Sequence, residues 1–424
     1  MMRLATPNWY WVAGGALLAT QAVMLLVLLA RLLPGRTRRP AVKPVTGART
    51  DTTVTVVVAT LNEAKRLSPC LEGLMAQTAP LLEVLVVDSR STDGTRALVE
   101  AAASRDGRIR LITDDPLPDG WVGKVWALET GLQHARGEWM LGIDADTIPA
   151  PGLVGAVIAA AARDQFDVVS FSPRFEGQSV AERFVQPAML VSLVYRCGAS
   201  GATQPAPDRV LANGQCFLAR RALLMQHGGY TAARASFSDD VTLARHLAAR
   251  GARVGFLDGS EIIRVRSYAS VGEMWREWGR SFDLKDATPV WRRWFDLLMV
   301  WSTQALPLPL LVVLGRALLA ELSAPPAWRT HHLLLVALIA VNACAFGIRL
   351  LLLIALRGSY AQRGPAFWLS WLADIPAAIR LTISTARTPK RWRGRAYRDL
   401  LNRSEIATLQ GATPGPGGND DPQR

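Results

Sequence analysis

The chain has 424 residues, of which 50% are hydrophobic, and its formal net charge is +13. This length suits one large domain or two smaller ones, and the apolar share predicts membrane segments. Arginine clusters at 36–39 and 390–395 adjoin apolar runs, which favours a membrane surface over nucleic acid as the partner of the positive charge. The four cysteines have no CxxC spacing and indicate neither a disulfide framework nor a zinc site.

The N-terminal region predicts a membrane anchor. After a short segment, 1–9, residues 10–33 are apolar except for Gln21 and Arg31. A helix of this length spans a bilayer. The apolar run continues past any small-residue cleavage site, so a signal anchor is favoured over a cleaved signal peptide. The basic cluster that follows indicates a cytoplasmic flank.

Residues 50–260 have a different character and predict an α/β catalytic domain. Short β-branched apolar runs alternate with helical stretches, which indicates a Rossmann-like, doubly wound and mostly parallel sheet. Ligands of such sheets bind at the carboxyl ends of the strands. The predicted strands are 54–60, 82–88, 108–113, 139–144 and 167–173.

The rest of the chain predicts further helices at a membrane. Segment 367–386 contains Asp374, Pro376 and Arg380, and a full span there would place the next basic cluster outside the cell. We therefore expect an interfacial or re-entrant helix at 367–386. The other predicted segments are an interfacial amphipathic segment (261–296), two transmembrane helices (297–319 and 332–356), a basic cytoplasmic segment (387–410) and a disordered tail (411–424).

Polar residues follow the first two predicted strands. Asn62 and Glu63 come after the first, Asp88 ends the second, and Asp93 lies in the next turn. A carboxylate there can hold a ribose or a base edge, and it can equally cap a helix or close an Asp-Gly turn. Lys124 begins a helical run, where its ammonium can reach a diphosphate or simply face solvent.

Two acidic pairs come later in the domain. Asp144 and Asp146 are separated by one residue in LGIDADTIP, so in extended backbone both side chains point the same way. They form either a polar turn or a site for Mg²⁺ or Mn²⁺, which often uses one or two carboxylates plus substrate phosphates. Asp239 and Asp240 precede an amphipathic helix and are either N-terminal caps or a general base.

Taken in order, the motifs strand–NE, strand–D…STDGT, GK.WAL, DAD and SDD resemble the family 2 glycosyltransferases of the GT-A fold. The resemblance covers roughly 54–285, and the flanking apolar helices are similar to the membrane-bound branch of that family. It implies a multi-pass protein of the bacterial inner membrane whose catalytic domain is cytoplasmic.

The resemblance also implies roles for individual residues. Asp88 would contact the base of a UDP-, GDP- or dTDP-linked sugar. Asp144 and Asp146 would engage the donor diphosphate through the metal, with Asp146 the more direct ligand. Asp240 would be the catalytic base for an acceptor hydroxyl that attacks the anomeric carbon from the side opposite the leaving group, so that this centre inverts. The charge of the leaving diphosphate is one that a metal and Lys124 can stabilise.

Two features depart from the family pattern. Ser89 follows Asp88, where many relatives have a second acidic residue, and the Q/R-x-x-R-W motif of processive members is absent from 273–288. We expect Trp275, Trp278 and Arg280 to cover the acceptor instead.

The acceptor implied by resemblance is a lipid. LPDGWVGKVWAL, IRVRSY, WREWGRSFDLKDAT and WRGRAY look closest to bacterial carotenoid 2′-O-glycosyltransferases of the myxol type. Hopanoid-associated transferases share much of the same pattern, and a glycerolipid acceptor is a further alternative.

Three other functions remain possible at this point. A processive polysaccharide synthase would normally have more spanning helices. A sugar nucleotidyltransferase would normally have a glycine-rich phosphate loop after the first strand, where this chain reads ATLNEAKRL. A non-enzymatic membrane scaffold would lose no function if Asp144 and Asp146 became alanine.

Overall fold

The computed structural model describes most of the chain outside its two ends. The described residues are 8–47, 51–203, 206–266, 268, 270–282, 284–323, 332–387, 391–392 and 395–396. Nearly all of the predicted segments 1–9 and 387–410, and the whole of 411–424, lie outside the described residues.

The strands form a large mixed sheet and two small ones. The seven-stranded sheet has the order β3-β2-β1-β4-β8-β6-β9, and β8 is antiparallel to both of its neighbours. A three-stranded sheet has the order β5-β10-β7, and β11 pairs with β12. The strands are β1 Val54–Thr60, β2 Leu81–Asp88, β3 Ile109–Thr113, β4 Trp139–Asp144, β5 Thr147–Pro149, β6 Val168–Ser172, β7 Arg174–Phe175, β8 Phe217–Arg220, β9 Val254–Asp258, β10 Ile263–Val265, β11 Arg391–Trp392 and β12 Arg395–Ala396.

Helices cover both faces of the large sheet and build a separate layer beside it. They are α1 Asn8–Leu32, α2 Leu67–Met75, α3 Thr95–Arg105, α4 Gly123–His134, α5 Leu153–Asp164, α6 Val180–Cys197, α7 Arg221–Gln226, α8 Asp239–Ala248, α9 Val271–Ser281, α10 Val290–Val300, α11 Pro307–Leu322, α12 His332–Ala355, α13 Pro365–Trp368 and α14 Asp374–Ala386.

The apolar strands form because both of their faces are buried. Val56 and Val58 lie in one hydrophobic core and Val57 in the other, as alternation along a strand requires. The predicted strands agree with β1, β2, β3, β4 and β6 to within a residue at each end. The carboxyl ends of β1, β2 and β4 meet at one edge of the sheet, where Ala59 pairs with Asp144 and Thr60 with Asp88.

A close helix–strand approach positions the start of α4 at this edge. A Cβ atom added to Gly131 would lie 2.3 Å from Cγ1 of Val57, so glycine lets α4 pack directly on β1. The other apolar residues of α4, among them Val125 and Leu132, are buried in the same core. The first turn of α4, with Lys124, therefore lies beside the end of β4.

The helix layer contains two elements that are long and apolar enough to cross a bilayer, Trp11–Thr37 and His332–Ser359, among the described residues. The helix expected over 297–319 is divided instead. Residues Val290–Ala305 and Pro307–Leu322 meet at a 53° bend. A π-helical turn, Trp301–Ala305, and Pro307 at the start of α11 explain the break, because proline cannot continue the backbone hydrogen bonding.

Segment 367–386 consists of short pieces. It contains the end of α13, a 3-10 turn at Ser370–Ala373 and the thirteen residues of α14. A helix of thirteen residues is shorter than the roughly 20 residues that span a bilayer. The interfacial or re-entrant character of the segment stays a prediction.

Buried polar side chains connect the helices of this layer. Gln21 of α1 and Asn342 of α12 exchange two hydrogen bonds, each 2.9 Å long. Arg349 of α12 donates from Nε to both carboxylate oxygens of Asp374, at 3.0 and 2.9 Å, and the two side chains are 1% and 5% exposed. Gln304 of the π-helical turn also donates to Asp374, at 2.9 Å.

The Arg349–Asp374 pair gives a prediction about stability. Asp374→Leu leaves a buried guanidinium without its counter-charge, and we expect the protein to lose about 3 kcal/mol of stability. The double variant Arg349→Met/Asp374→Leu removes both charges and should recover most of the loss. Thermal unfolding of the detergent-solubilised protein measures both. A double variant as unstable as the single one would contradict this account.

Candidate active site

A cavity of about 730 Å³ opens at the carboxyl ends of β1 and β4 and continues towards the helix layer. Its polar end includes Lys124, Asp144, Asp146, Asp239 and Asp240. The structure therefore brings together, in one cavity, residues up to 116 positions apart (from 124 to 240). The sequence analysis had identified them as separate motifs.

Lys124 links the acidic pairs. Its Nζ is 2.8 Å from Oδ1 of Asp144 and 3.9 Å from Oδ1 of Asp239. The side chains of Lys124 and Asp144 are 20% and 29% exposed, so water reaches both groups. Lys124 is therefore an ion-pair partner within the site, which excludes the alternative that it is an ordinary surface lysine.

Backbone groups hold the carboxylate of Asp240. Its Oδ2 accepts a hydrogen bond from the N–H of Gly214 at 2.6 Å, and its Oδ1 accepts from the N–H of Val241 at 2.8 Å. A Cβ atom at position 214 would lie 2.9 Å from the Lys124 Nζ and 3.6 Å from the Asp240 Oδ2. Gly214 was not identified from the sequence, and its absent side chain makes room for the ammonium.

The charges in the cavity shift one another's pKa values. Burial alone lowers the pKa of Lys124, but the carboxylates of Asp144, Asp239 and Asp240 outweigh burial and raise it. Burial raises the pKa of Asp239 to about 7, against the opposing effect of Lys124. Burial likewise raises the pKa of Asp240, although Lys124 and the two backbone N–H donors lower it. A raised pKa makes Asp240 a stronger base when it is ionised.

The residues present suit a divalent cation that shares its coordination with a phosphate ligand. Oδ1 of Asp146 is buried and has no hydrogen-bond partner among the described residues. Burial and the charge of Asp144 raise the pKa of Asp146 to about 7. Within the described ranges, no group of three or more His, Cys, Asp or Glu side chains could hold a metal without other ligands. Two carboxylates completed by substrate phosphates are a common Mg²⁺ arrangement.

Asn62, Asp88 and Asp93 lie beside the cavity and bond to neighbouring loops. Asn62 accepts from the N–H of Thr92 at 2.9 Å through Oδ1. Asp93 accepts from the N–H of Ala64 at 3.0 Å. The carboxylate of Asp88 accepts from the hydroxyl of Thr60 and the N–H of Ser91, at 3.3 and 3.1 Å. None of these three predicted donor-binding side chains lines the cavity among the described residues, whereas Glu63 does.

Asp114 and Arg66, near the polar end of the cavity, were not identified from the sequence. Ser89 lines the cavity and donates to Oδ2 of Asp114 at 2.6 Å, so Asp114 supplies a carboxylate close to the position where Ser89 replaces an acidic residue. Arg66 also lines the cavity and pairs with Glu273 of α9. Its charge lowers the pKa of Asp146, opposing burial. Asp114 directly follows the end of β3, and this position after a strand was the feature of the sequence that could have identified it.

Of the predicted acceptor-side tryptophans, one lines the cavity and the other does not. Trp278 lines the cavity, and its Nε1 is buried without an acceptor among the described residues. Trp275 is turned towards α14, where its carbonyl accepts from Arg380 at 2.7 Å and the guanidinium lies 5.7 Å from its ring centre. Trp275 does not line the cavity among the described residues, and its role at the acceptor stays a prediction. The side chain of Arg280 lies outside the described residues.

The other end of the cavity is apolar and lies between helices. Its walls come from α6, from α12 and from the last residue of α1, and Arg36 and Arg38 of the following turn also line the cavity. Leu351 of α12 is 66% exposed and also lines the cavity, so the cavity wall is continuous with the apolar outer surface of that helix. The residues at this end are Leu32, Leu190, Leu193, Val194, Ile348, Leu351, Leu352 and Ala355.

Residues 55–228 match the family described as "Glycosyl transferase family 2". This segment contains the strand ends, Lys124, Asp144, Asp146 and Gly214, and it ends before Asp239 and Asp240.

Individual relatives agree with that family. The chain is 38% identical over 128 residues to the succinoglycan biosynthesis protein ExoO of Rhizobium meliloti, covering 28% of this chain and 35% of ExoO. It is 25% identical over 136 residues to the glycosyltransferase AglE of Haloferax volcanii, covering 31% and 43%. It is 34% identical over 100 residues to the dolichyl-phosphate beta-glucosyltransferase ALG5C of Trichomonas vaginalis, covering 22% and 28%. The chain thus spans less than half of each of these relatives.

A solved structure is also similar. The mannosyltransferase PcManGT of Pyrobaculum calidifontis, in complex with GDP-Man and Mn²⁺, is 22% identical, with 87% of this chain and 97% of that chain covered and a TM-score of 0.47.

The fold and the site define a class of protein. The mostly parallel sheet with acidic residues at its strand ends is a GT-A-like α/β fold, as the sequence predicted, and two long apolar helices flank it. Residues 55–228 are thus similar to family 2 glycosyltransferases.

The raised pKa of Asp146 predicts how the stability of the protein changes with pH. The folded protein holds a proton on Asp146 up to about pH 7, whereas an unfolded aspartate releases it near pH 3.9. Stability should therefore fall as pH rises between these values. Asp146→Asn removes this loss, so in EDTA we expect a higher Tm than wild type at pH 8 and a smaller difference at pH 5.

The same variant tests metal binding without an activity assay. Mn²⁺ with UDP should raise the Tm of the wild type by mass action and should raise that of Asp146→Asn much less. An equal Mn²⁺-dependent shift in both proteins would rule out Asp146 as a ligand.

Proposed function

We propose that the protein is an inverting, metal-dependent glycosyltransferase that moves one sugar from a nucleotide-sugar donor to a hydroxyl group of a membrane lipid. One observation carries the proposal: a single continuous cavity joins the cluster around Lys124 to an apolar arm between α6 and α12. The charged end suits a nucleoside diphosphate, and the apolar end suits a hydrocarbon chain that would be costly to leave in water.

Asp240 is the proposed catalytic base. Its carboxylate takes the proton of the acceptor hydroxyl, and the acceptor oxygen forms a bond to the anomeric carbon. The bond from that carbon to the diphosphate oxygen breaks, and its electron pair leaves with the nucleoside diphosphate. Attack from the side opposite the leaving group inverts the centre. The N–H groups of Gly214 and Val241 fix the position of the base.

The remaining polar residues act on the donor. A cation held by Asp144 and Asp146 would supply positive charge to the leaving diphosphate. The ammonium of Lys124, now paired with Asp144, would stabilise the same charge. Asn62, Asp88 and Asp93 would act indirectly, because their hydrogen bonds fix the two loops that present Glu63 and Ser89 to the cavity.

The proposed location is the bacterial inner membrane, with several spans and a cytoplasmic catalytic domain. Support comes from the length and apolar character of the two helices Trp11–Thr37 and His332–Ser359 and from the basic cluster at 36–39. A cytoplasmic domain would have access to UDP-, GDP- or dTDP-linked sugars.

The proposed acceptor is a carotenoid with a free 2′-hydroxyl, and a hopanoid or a glycerolipid is the alternative. The apolar arm supports a lipid in general, and the resemblance of LPDGWVGKVWAL and WREWGRSFDLKDAT to carotenoid transferases supports this one in particular. Transfer of one sugar is favoured over processive synthesis because the sequence lacks Q/R-x-x-R-W in 273–288.

Expression in a carotenoid-producing bacterium tests the acceptor. We expect mass spectrometry of the pigment extract to find carotenoid with one added hexose or deoxyhexose. Cells that express the Asp144→Ala/Asp146→Ala variant are the control and should lack this product. Unchanged pigments with a glycosylated hopanoid or glycerolipid would contradict the carotenoid assignment, and products with several added sugars would favour a processive synthase.

Asp240→Asn tests the base. The variant keeps the shape of the side chain but removes the proton acceptor, so transfer should fall by at least about a hundredfold, with the protein still folded and in the membrane fraction. Asp167→Asn is a matched control, since Asp167 precedes β6 at the opposite edge of the sheet. Near-normal turnover of Asp240→Asn would refute the role.

A further inference from the structure

Three buried side-chain atoms along the described part of the cavity have no hydrogen-bond partner. They are Oδ1 of Asp146, Oγ of Ser238 and Nε1 of Trp278. Asp146 suits a cation, and Trp278 was expected at the acceptor. Residue Ser238 is only 2% exposed, and its hydroxyl has no role in the chemistry described above. A buried hydroxyl without a partner costs free energy that a bound polar group can recover.

Ser238 stands at the N-cap of α8 but does not cap it. An N-cap serine normally accepts a hydrogen bond from the second or third N–H of its helix. Ser179 does so for α6 at 3.1 Å, and Ser270 does so for α9 at 3.2 Å. Ser238 has φ −111° and ψ 55°, and its side chain makes no such bond. Its hydroxyl is therefore available to a ligand.

The backbone around Ser238 is fixed in place. The N–H of Ser238 donates to Oγ of Ser236 at 3.0 Å, and the N–H of Phe237 donates to Oδ2 of Asp286 at 2.7 Å. Ser236 also bonds to the hydroxyl of Thr242 on α8. The free hydroxyl thus lies on a held segment, directly before Asp239 and Asp240, and faces the same cavity.

We propose that Ser238 is a positioning residue that hydrogen-bonds an alcohol hydroxyl of a substrate next to Asp240. The inference rests on the proposed function and adds a specific contact to it. The hydroxyl can belong to the acceptor or to the donor sugar, because both carry the same group. Ser238 exchanges no proton overall: the acceptor proton goes to Asp240, and the electron pair of the broken bond goes to the diphosphate.

The test uses the full-length protein in proteoliposomes, with UDP-glucose, GDP-fucose and dTDP-glucose as donors and a hydroxylated carotenoid as the alcohol. Two rates are measured: transfer to the carotenoid, and hydrolysis of the donor without it. If Ser238 holds the acceptor, Ser238→Ala should lower kcat/KM for the carotenoid about tenfold and leave hydrolysis unchanged. If it holds the donor sugar, both rates should fall and the donor KM should rise. Either pattern supports the proposal.

Two further variants separate positioning from stability. Ser238→Thr keeps a hydroxyl and should restore much of the lost rate. Ser179→Ala removes a hydroxyl that does cap a helix, so it should lower the Tm while leaving the KM values unchanged. Ser238→Ala should instead change the kinetic constants without lowering the Tm.

The outcomes separate this inference from the function on which it rests. A wild-type protein that transfers sugar, together with a Ser238→Ala variant whose constants are unchanged, would overturn the inference alone. A rate loss that follows a lowered Tm and is not restored by Ser238→Thr would do the same. A wild-type protein without transfer or hydrolysis for any of the three donors would overturn the proposed function and this inference together.

Discussion

The site depends on the repulsion among the carboxylates of Asp144, Asp146, Asp239 and Asp240 and on the ammonium that offsets part of it. Lys124 lies 2.8 Å from one acidic pair and 3.9 Å from the other. It can do so because Gly131 lets α4 pack against β1 and because Gly214 has no side chain. Burial, and to a lesser extent the neighbouring carboxylates, raise the pKa values of Asp146 and Asp239. The fold therefore gathers four carboxyl groups around one ammonium, and their oxygen atoms are the ligands that a hard divalent cation prefers.

Much of the α/β domain follows from local sequence. Runs of β-branched residues with both faces buried gave strands with nearly correct ends, and parallel strands must bring those ends to one edge. The direction of each side chain beyond a strand end depends on how the next loops close. Asn62, Asp88 and Asp93 therefore turned out to bond with neighbouring loops, although their positions in the sequence resemble those of direct ligands. No sequence pattern identified Gly214 or Ser238. Gly214 matters because Lys124 and Asp240 lie close to it, and Ser238 because its buried hydroxyl has no partner among the described residues.

The helix layer was less predictable for a related reason. Hydropathy identifies apolar length but does not reveal which polar groups meet inside it. The break at Trp301–Ala305 places Gln304 against Asp374, which in turn pairs with Arg349. These contacts join residues far apart in the chain, so a window of sequence around 297–319 contains no sign of them. The contact between Trp275 and Arg380 is similarly hidden, because the two residues are about a hundred positions apart in the chain.

The exposure of Leu351 along the cavity wall has a kinetic consequence. If the acceptor enters there, the two substrates arrive from different phases: the nucleotide sugar by diffusion in three dimensions, and the lipid by diffusion within the plane of the bilayer. The saturation curve for the acceptor would then follow its mole fraction among the lipids rather than its amount per volume. Adding inert phospholipid would slow the enzyme even though the total acceptor stayed constant.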